Sequence, residues 1–483
     1  MSEKTPPEQP AEEPNPDQDG VEGAYDDFLR ERSEEVAEIL AEFQADLQAE
    51  MHDEIRAELE AELRAELNAE IASESLFEIH DTFNPPTKEA VDEAKTWATF
   101  STLLLKVSSF ADLAEPLRIA TSAKHLAAVL NRALQIDLVE NSNRKAKPIS
   151  FKLLNFYAFH KGQHRYRTFL VPKRTPGEKR EIKAPDQGLM RVQRLLLHCL
   201  TAAFTTCDIA AHGFVTGRSV LTNAAPHAGR RYVLNLDLEA FFPNTPVQRV
   251  VKVLQLHPFG IKKAVAHLIA SLCCDQGSLP QGAPTSPLLT NAVCQRLDRR
   301  LRKMARIHHC TYTRYADDLT FSSNRPAFRQ EFHDEINAIL TAEGYRQNPN
   351  KQRLQTPSQR QEVTGVVVNE RPNVPREYVR QIRAMLHNWE TKGYEAASVT
   401  LRNHYGASKA HARHKGGIPK LERVLAGKIA YLGMIQGKDS LAYTTFYQKL
   451  KTLSFDRDNS VIQNILTILM KKGLEEVIAS KLI

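Results

Sequence analysis

The stretch "RYADDLTFSS", Arg314 to Ser323, decides how this chain is read. Its aromatic and apolar residues suit a β-strand, yet two adjacent aspartates, Asp317 and Asp318, stand inside it. Aspartate is disfavoured in strands, and neighbouring carboxylates raise one another's pKa. A second strand pattern, "YVLNLDLEAFFPN" (232–244), carries Asp237 where the alternation stops and "FFPN" turns the chain. Such a cluster is unstable alone, and divalent cations remove the repulsion. Mg2+ prefers carboxylate oxygens together with water and substrate phosphates. Two such ions about 3.5–4 Å apart stabilise both the attacking and the leaving oxygen of a phosphoryl transfer.

Between the two strands lies "GSLPQGAPTSPLLTN" (277–291). Gly282, with the small neighbours Ala283 and Ser286, lets backbone approach a flat ligand closely. Prolines bound a rigid loop ahead of a helix that starts near Pro287. The loop lacks the lysine of a phosphate-cradling P-loop. It suits a platform beneath a base pair.

At 483 residues, 42% hydrophobic and 25% charged, the chain has room for two or three domains and a substantial core. It holds no run of about 18 apolar residues, and its acidic N-terminus has no apolar core, so neither a membrane span nor a secretory signal is expected. The six cysteines, at 199, 207, 273, 274, 294 and 310, form no CxxC pair, which points to a reducing cytoplasm. "HHC" at 308–310 would alternate faces on a strand and reads as ordinary. Charge is unevenly spread. Residues 1–84 hold 26 of the 58 acidic residues and 5 of the 64 basic ones, a net of −21, which leaves the remainder at +27. A body that basic suggests a polyanionic partner, most often nucleic acid.

Residues 1–27 read as a disordered acidic tail. Residues 28–84 read as a long acidic helix whose apolar positions, from Phe43, Leu47 and Met51 to Leu67 and Ile71, recur every four residues. That stripe advances about 40° per step and favours a right-handed wrap. The helix is expected to self-associate or dock an effector; alternatively its charge lies against the basic body as a nucleic-acid mimic. Residues 85–150 read as a helical linker region, 151–369 as alternating strands and helices, and 370–483 as helical and basic. There "RQIRAMLHNWETKGY" (380–394) sets Trp389 among cations, suited to packing or to stacking, and "ARHKGG" reads as a loop.

Taken in order, these motifs resemble the palm of reverse transcriptases. "LDLEAFF" looks like motif A, "LPQGAPTSP" motif B, "YADD" motif C, and "EGYRQNPNKQ" (343–352) motif D with Lys351 as its lysine. "YRTFLVPKRTPGEKREIKAP" (166–185) resembles the fingers strands, whose basic residues hold the incoming triphosphate. "TNAAPHAG", with Asn223 and His227, and "VTGVVVN", with Val363, Thr364 and Gly365, are similar to the NAxxH and VTG signatures of retron reverse transcriptases. The resemblance covers about residues 116–483. It implies an α+β right-hand polymerase fold of fingers, palm and helical thumb, here preceded by the long acidic helix.

The resemblance also implies roles. Asp237 and Asp317 would bridge two Mg2+ ions, with Mn2+ as a substitute, and Asp318 would be the third carboxylate. Phe242 falls at the steric-gate position, with Phe241 as competitor. Gln281 and Gly282 would line the nascent base-pair pocket. Lys173 and Arg180 would neutralise the triphosphate, while the loop "TPGEKR" leaves the role of Lys179 open. Lys351 would lie near the leaving pyrophosphate, and Tyr315 beneath the primer end. Asn223 and His227 would shape or contact the RNA. The implied activity is copying part of a cognate structured non-coding RNA from dNTPs into single-stranded DNA (msDNA), primed from an RNA 2′-hydroxyl, within an antiphage unit that includes an effector protein. No second acidic constellation follows the thumb, so template removal would need a separate RNase H. The alternatives are a non-retron bacterial reverse transcriptase, group II intron-like or defence-associated, and an RNA-binding scaffold with secondary catalysis.

Overall fold

The computed structural model describes residues 88–140, 147–159, 165–172, 179–407 and 419–472. The expected tail 1–27, the expected helix 28–84, Lys173 and the "ARHKGG" loop lie outside the described residues. The chain divides into two units, Met1–Glu93 and Ala94–Ile483. Of the first, only the opening of helix α1 (Lys88–Leu105) is described; every later element belongs to the second.

Helices α2 (Ala114–Ile119), α3 (Ala123–Glu140) and α4 (Phe151–Phe159) come next in the chain. In α3 the residues Leu126, Val129, Leu130, Ala133 and Leu134 recur at three- and four-residue steps and are all buried, the stripe of a core-facing helix. This segment is not a linker. Phe100, Leu113, Leu117 and Leu130 share one buried cluster with Leu196, Ile269 and Leu289. Arg118 ties it further: Nε and Nη2 donate to the carbonyls of Phe259 and Pro258 at 3.2 and 3.0 Å. The polar run "NSNRKAKP" invited the linker expectation, but it occupies only the far end of the segment.

Strands β1 (Tyr166–Pro172) and β2 (Lys179–Pro185) form an antiparallel pair. Helix α5 (Gln187–Ala203) starts at Asp186, whose carboxylate accepts from Leu189 N, an N-cap that satisfies an otherwise orphaned donor. After the short α6 (Val220–Ala224) comes β3 (Tyr232–Asp237), then α7 (Val247–Gln255), α8 (Lys263–Cys273) and α9 (Ser286–Ile307). "HHC" follows α9 as a turn and not as a strand, with His309 at φ 54°. Strands β4 (Thr311–Tyr315) and β5 (Asp318–Ser323), helix α10 (Gln330–Ala342) and β6 (Arg353–Gln355) complete an antiparallel sheet in the order β4-β5-β3-β6.

The alternation of this sheet explains its two faces. Leu234, Leu236, Tyr312, Leu319 and Phe321 share a buried cluster with Leu297 and Leu301 of α9 and Ile336 of α10. Asn235, Asp237, Asp318, Thr320 and Ser322 alternate with them and fall on the other face. The hairpin of β7 (Glu362–Val363) and β8 (Val366–Val367) is followed by α11 (Arg376–Lys392), α12 (Tyr394–Ala407), α13 (Leu421–Gln436) and α14 (Leu441–Lys472). Here Trp389 is a packing residue, buried among Ile382, Leu386, Leu425 and Ile429 with its ring edge-on to Tyr394 at 5.0 Å. Among the described residues no helix is long and apolar enough to cross a membrane.

Candidate active site

Register brings the carboxylates together. Asp237 ends β3 and pairs directly with Asp318, the first residue of β5, while Asp317 lies in the two-residue turn from β4. Leu238 N donates to the Asp317 carbonyl at 2.9 Å, and Asn348 N donates to the Asp237 carbonyl at 2.8 Å, so main chain fixes both positions. The turn itself is strained, with Ala316 at φ 57° in the left-handed region.

A buried ion pair holds that turn. Arg314 and Asp298 are both fully buried; Arg314 Nε and Nη2 meet the two Asp298 oxygens at 2.8 and 2.7 Å. The remaining Arg314 nitrogen, Nη1, donates to the Ala316 carbonyl at 3.1 Å, and Tyr312 Oη donates to Asp298 at 2.9 Å. The bidentate fork gives direction as well as charge. Sequence reasoning missed this pair. The available signal was in α9, where Asp298 interrupts the buried stripe Cys294, Leu297, Leu301, Met304 and Ala305.

Crowding raises the Asp317 pKa, through burial first and then the Asp237 charge. Asp318 is pushed up to about 7 by burial, Asp317 and Asp237, although it keeps an open side to solvent. Lys351 and Arg180 oppose the rise at Asp317. Lys351 Nζ lies 2.8 Å from each oxygen of Asp237. A lone ammonium therefore sits where the donor chemistry, hard carboxylate oxygens under mutual repulsion, fits divalent cations. Among the described residues no three acidic, His or Cys side chains are by themselves arranged to hold a metal ion.

Phe241 is buried with its ring tilted against Tyr345 in the core, whereas Phe242 is half-buried and touches the Phe241 and Phe214 rings. Gln281 O accepts from Lys183 N at 2.9 Å, and Gly282, at φ 130°, lies against that strand. A Cβ there would meet Lys183 O at 2.8 Å, so the close approach Gly282 permits is to β2 backbone. Arg180 is exposed on β2 and pairs across with Val171.

Asn223 and His227 are completely buried, so neither presents a surface to RNA. His227 bridges Ser322 Oγ at 2.7 Å and Thr313 Oγ1 at 2.8 Å. Thr313 Oγ1 donates to Asn223 O at 3.4 Å, so it accepts from His227 Nε2–H and Nδ1 accepts from Ser322. Burial pushes the His227 pKa down to about 3, which keeps the ring neutral. Asn223 Nδ2 donates to Thr364 Oγ1 at 3.4 Å. Thr364 and Gly365 form the β7–β8 turn at φ 48° and 82°, and Val363 is buried beside Ala224 and Val233. The two short signatures thus touch each other and back the same sheet face that carries the aspartates.

Residues 171–392 match the family described as "Reverse transcriptase (RNA-dependent DNA polymerase)". The chain is 38% identical to the retron Mx162 reverse transcriptase of Myxococcus xanthus, over 50% of this chain and 57% of that protein. It is 40% identical to the retron Mx65 reverse transcriptase of the same organism, over 50% of this chain and 60% of the relative. With the retron Ec86 reverse transcriptase of Escherichia coli it shares 33% identity, over 55% of this chain and 83% of that protein. The match thus spans about three-fifths of the two Myxococcus proteins.

Proposed function

The chain belongs to the retron reverse transcriptases, and from that premise we propose that it is an RNA-directed DNA polymerase that copies part of a cognate structured RNA into single-stranded DNA. The observation that carries the reading is the cross-strand pair Asp237–Asp318 with Asp317 in the adjoining turn, three carboxylates on one strand-end. These residues would hold two divalent ions, Mg2+ or Mn2+, which when bound supply charge neutralisation for the attacking hydroxyl and the leaving phosphate. The chain's own residues then position and select. Arg180 on β2, together with Lys173, would meet the triphosphate, since phosphoryl transfer is served chiefly by positioning and electrostatics. Lys351 would exchange its contact with Asp237 for the departing phosphate. Phe242 would press on the sugar and exclude a 2′-hydroxyl, the group that separates the two sugars. Gln281 and Gly282, pinned to β2, would support the new base pair.

The layer of buried Asn223, His227 and Val363 with half-buried Thr364 would shape the palm and contribute no proton transfer. In the family's organisation, 151–369 would be fingers and palm and 370–483 an RNA-binding thumb. Priming from an RNA 2′-hydroxyl, a separate RNase H, an effector protein, an antiphage role and a cytoplasmic setting complete the proposal. Extension of a primer on an RNA template with Mg2+ tests it. Asp317→Asn is expected to lower the rate by on the order of 10³ or more while RNA binding persists. Equal DNA synthesis by variant and wild type would end the polymerase reading. Sequencing nucleic acid that copurifies with the wild-type chain tests the retron part: RNA joined to DNA is expected, and RNA alone counts against it.

A further inference from the structure

The loop 208–218 has no part in metal binding or triphosphate contact, yet it is built to hold one aromatic residue beside the aspartates. Phe214 adopts φ 61°, a left-handed conformation that is an outlier for a bulky residue. Despite that cost the residue is 51% exposed. It lies 6.3 Å from the Phe242 ring at 45°, within the range of interacting aromatic pairs.

The surroundings over-determine this placement. His212 N donates to Arg314 O, and Arg314 N to Ala210 O, both at 2.7 Å, so the loop runs along β4. Gly213 fits where no Cβ could: one would come within 2.5 Å of Ala316 N and 3.0 Å of Tyr315 C, in the turn that presents Asp317. Asn291 Nδ2, buried on α9, donates to Gly213 O at 2.9 Å. Arg218 Nη1 closes the loop on the carbonyls of Asp208, at 2.6 Å, and Ala211. Two non-glycine positive-φ residues meet here: Phe214, and Ala316 in the turn that presents Asp317. Backbone strain maintained by its surroundings is characteristic of working sites. An exposed aromatic held at such a cost is not accounted for by core packing.

We propose that Phe214 forms, with Phe242, a two-ring wall that selects the sugar of the incoming nucleotide. This rests on the polymerase reading and on Phe242 as gate, and it goes beyond both by assigning a second specificity residue. Phe214 limits how far the Phe242 ring can tilt away, so a ribonucleotide cannot push the gate aside.

The test measures insertion of matched dNTPs and NTPs on a short RNA template by full-length wild type, Phe242→Ala, Phe214→Ala and Phe214→Gly. Melting temperatures are recorded alongside. Phe242→Ala should reduce the dNTP/NTP ratio of kcat/KM. Both Phe214 variants should reduce it about tenfold, through better NTP use, since an apolar pocket rejects an added hydroxyl by on the order of 10² in all. Phe214→Gly should also melt at or above wild type, because glycine adopts the observed φ without strain. A structural role would lower the melting temperature and leave the ratio untouched. Unchanged ratios in both Phe214 variants, with Phe242→Ala impaired in selection, overturn the proposal and spare the polymerase reading. A lowered ratio at Phe214 with none at Phe242 overturns the two-ring wall. No DNA synthesis by wild type refutes the function itself.

Discussion

Four side chains carry distinct expectations. Arg314 and Asp298 form a fully buried bidentate pair. Removing one member leaves an uncompensated buried charge, at a cost of about 3–5 kcal/mol. Arg314→Met should therefore lower the denaturation midpoint sharply, and Asp298→Asn less so because it keeps one acceptor. Lys351 is the cation against Asp237. Lys351→Met should lower the melting temperature in chelator and enlarge the gain on adding Mg2+, read by thermal shift. His227 gives a pH signature. Its folded pKa of about 3 lies below the unfolded value near 6.5, so between these the unfolded chain binds the extra proton. Stability is complete above pH 6.5 and falls on acidification, by about 2 kcal/mol at pH 5. Urea titrations of wild type and His227→Gln at pH 7.5 and 5 check this, with the slope expected to flatten in the variant. At this scale the aspartates were legible because carboxylates in strands demand an explanation. Asp298 was hidden by its basic neighbours, and Phe214 because φ is not written in composition.

Register between β3 and β5 brings Asp237 and Asp318 together, and one two-residue turn presents Asp317. A slip of one residue would move Asp237 from opposite Asp318 and turn its side chain to the core face. The motif B loop is a second element with a narrow tolerance. Gly282→Ala would drive a methyl to 2.8 Å from Lys183 O and strain a φ of 130°. We expect DNA synthesis to fall about tenfold or more with a modest change in melting temperature, measured by primer extension and calorimetry. The helix after this loop was legible from its prolines, and it begins at Ser286. The meaning of "VTG" was not. As a string it marks a family; as an element it is a hairpin turn whose two central residues both need positive φ, a property of primed turns. Period-two reasoning also failed at "HHC", because the end of α9 and its turn override a strand pattern there.

Across the whole molecule, charge was the clearest signal in the sequence and core membership the least clear. Residues 85–483 carry the excess of basic charge, which should appear as a steep dependence of RNA affinity on salt. Deleting residues 1–84 separates the proposals for that segment. An unchanged affinity and slope would count against a nucleic-acid mimic, and an unchanged mass in solution against self-association. The helices of 94–140 could not be assigned from periodicity to the polymerase body, because their partners lie far along the chain. Arg118 meets Phe259 across 141 residues. That distance has a consequence in time. At about 5–20 residues per second, synthesis leaves Arg118 without these carbonyl partners for roughly 7–28 s. During each round of translation the nascent chain thus carries an unfinished surface until residues 258 and 259 have been made.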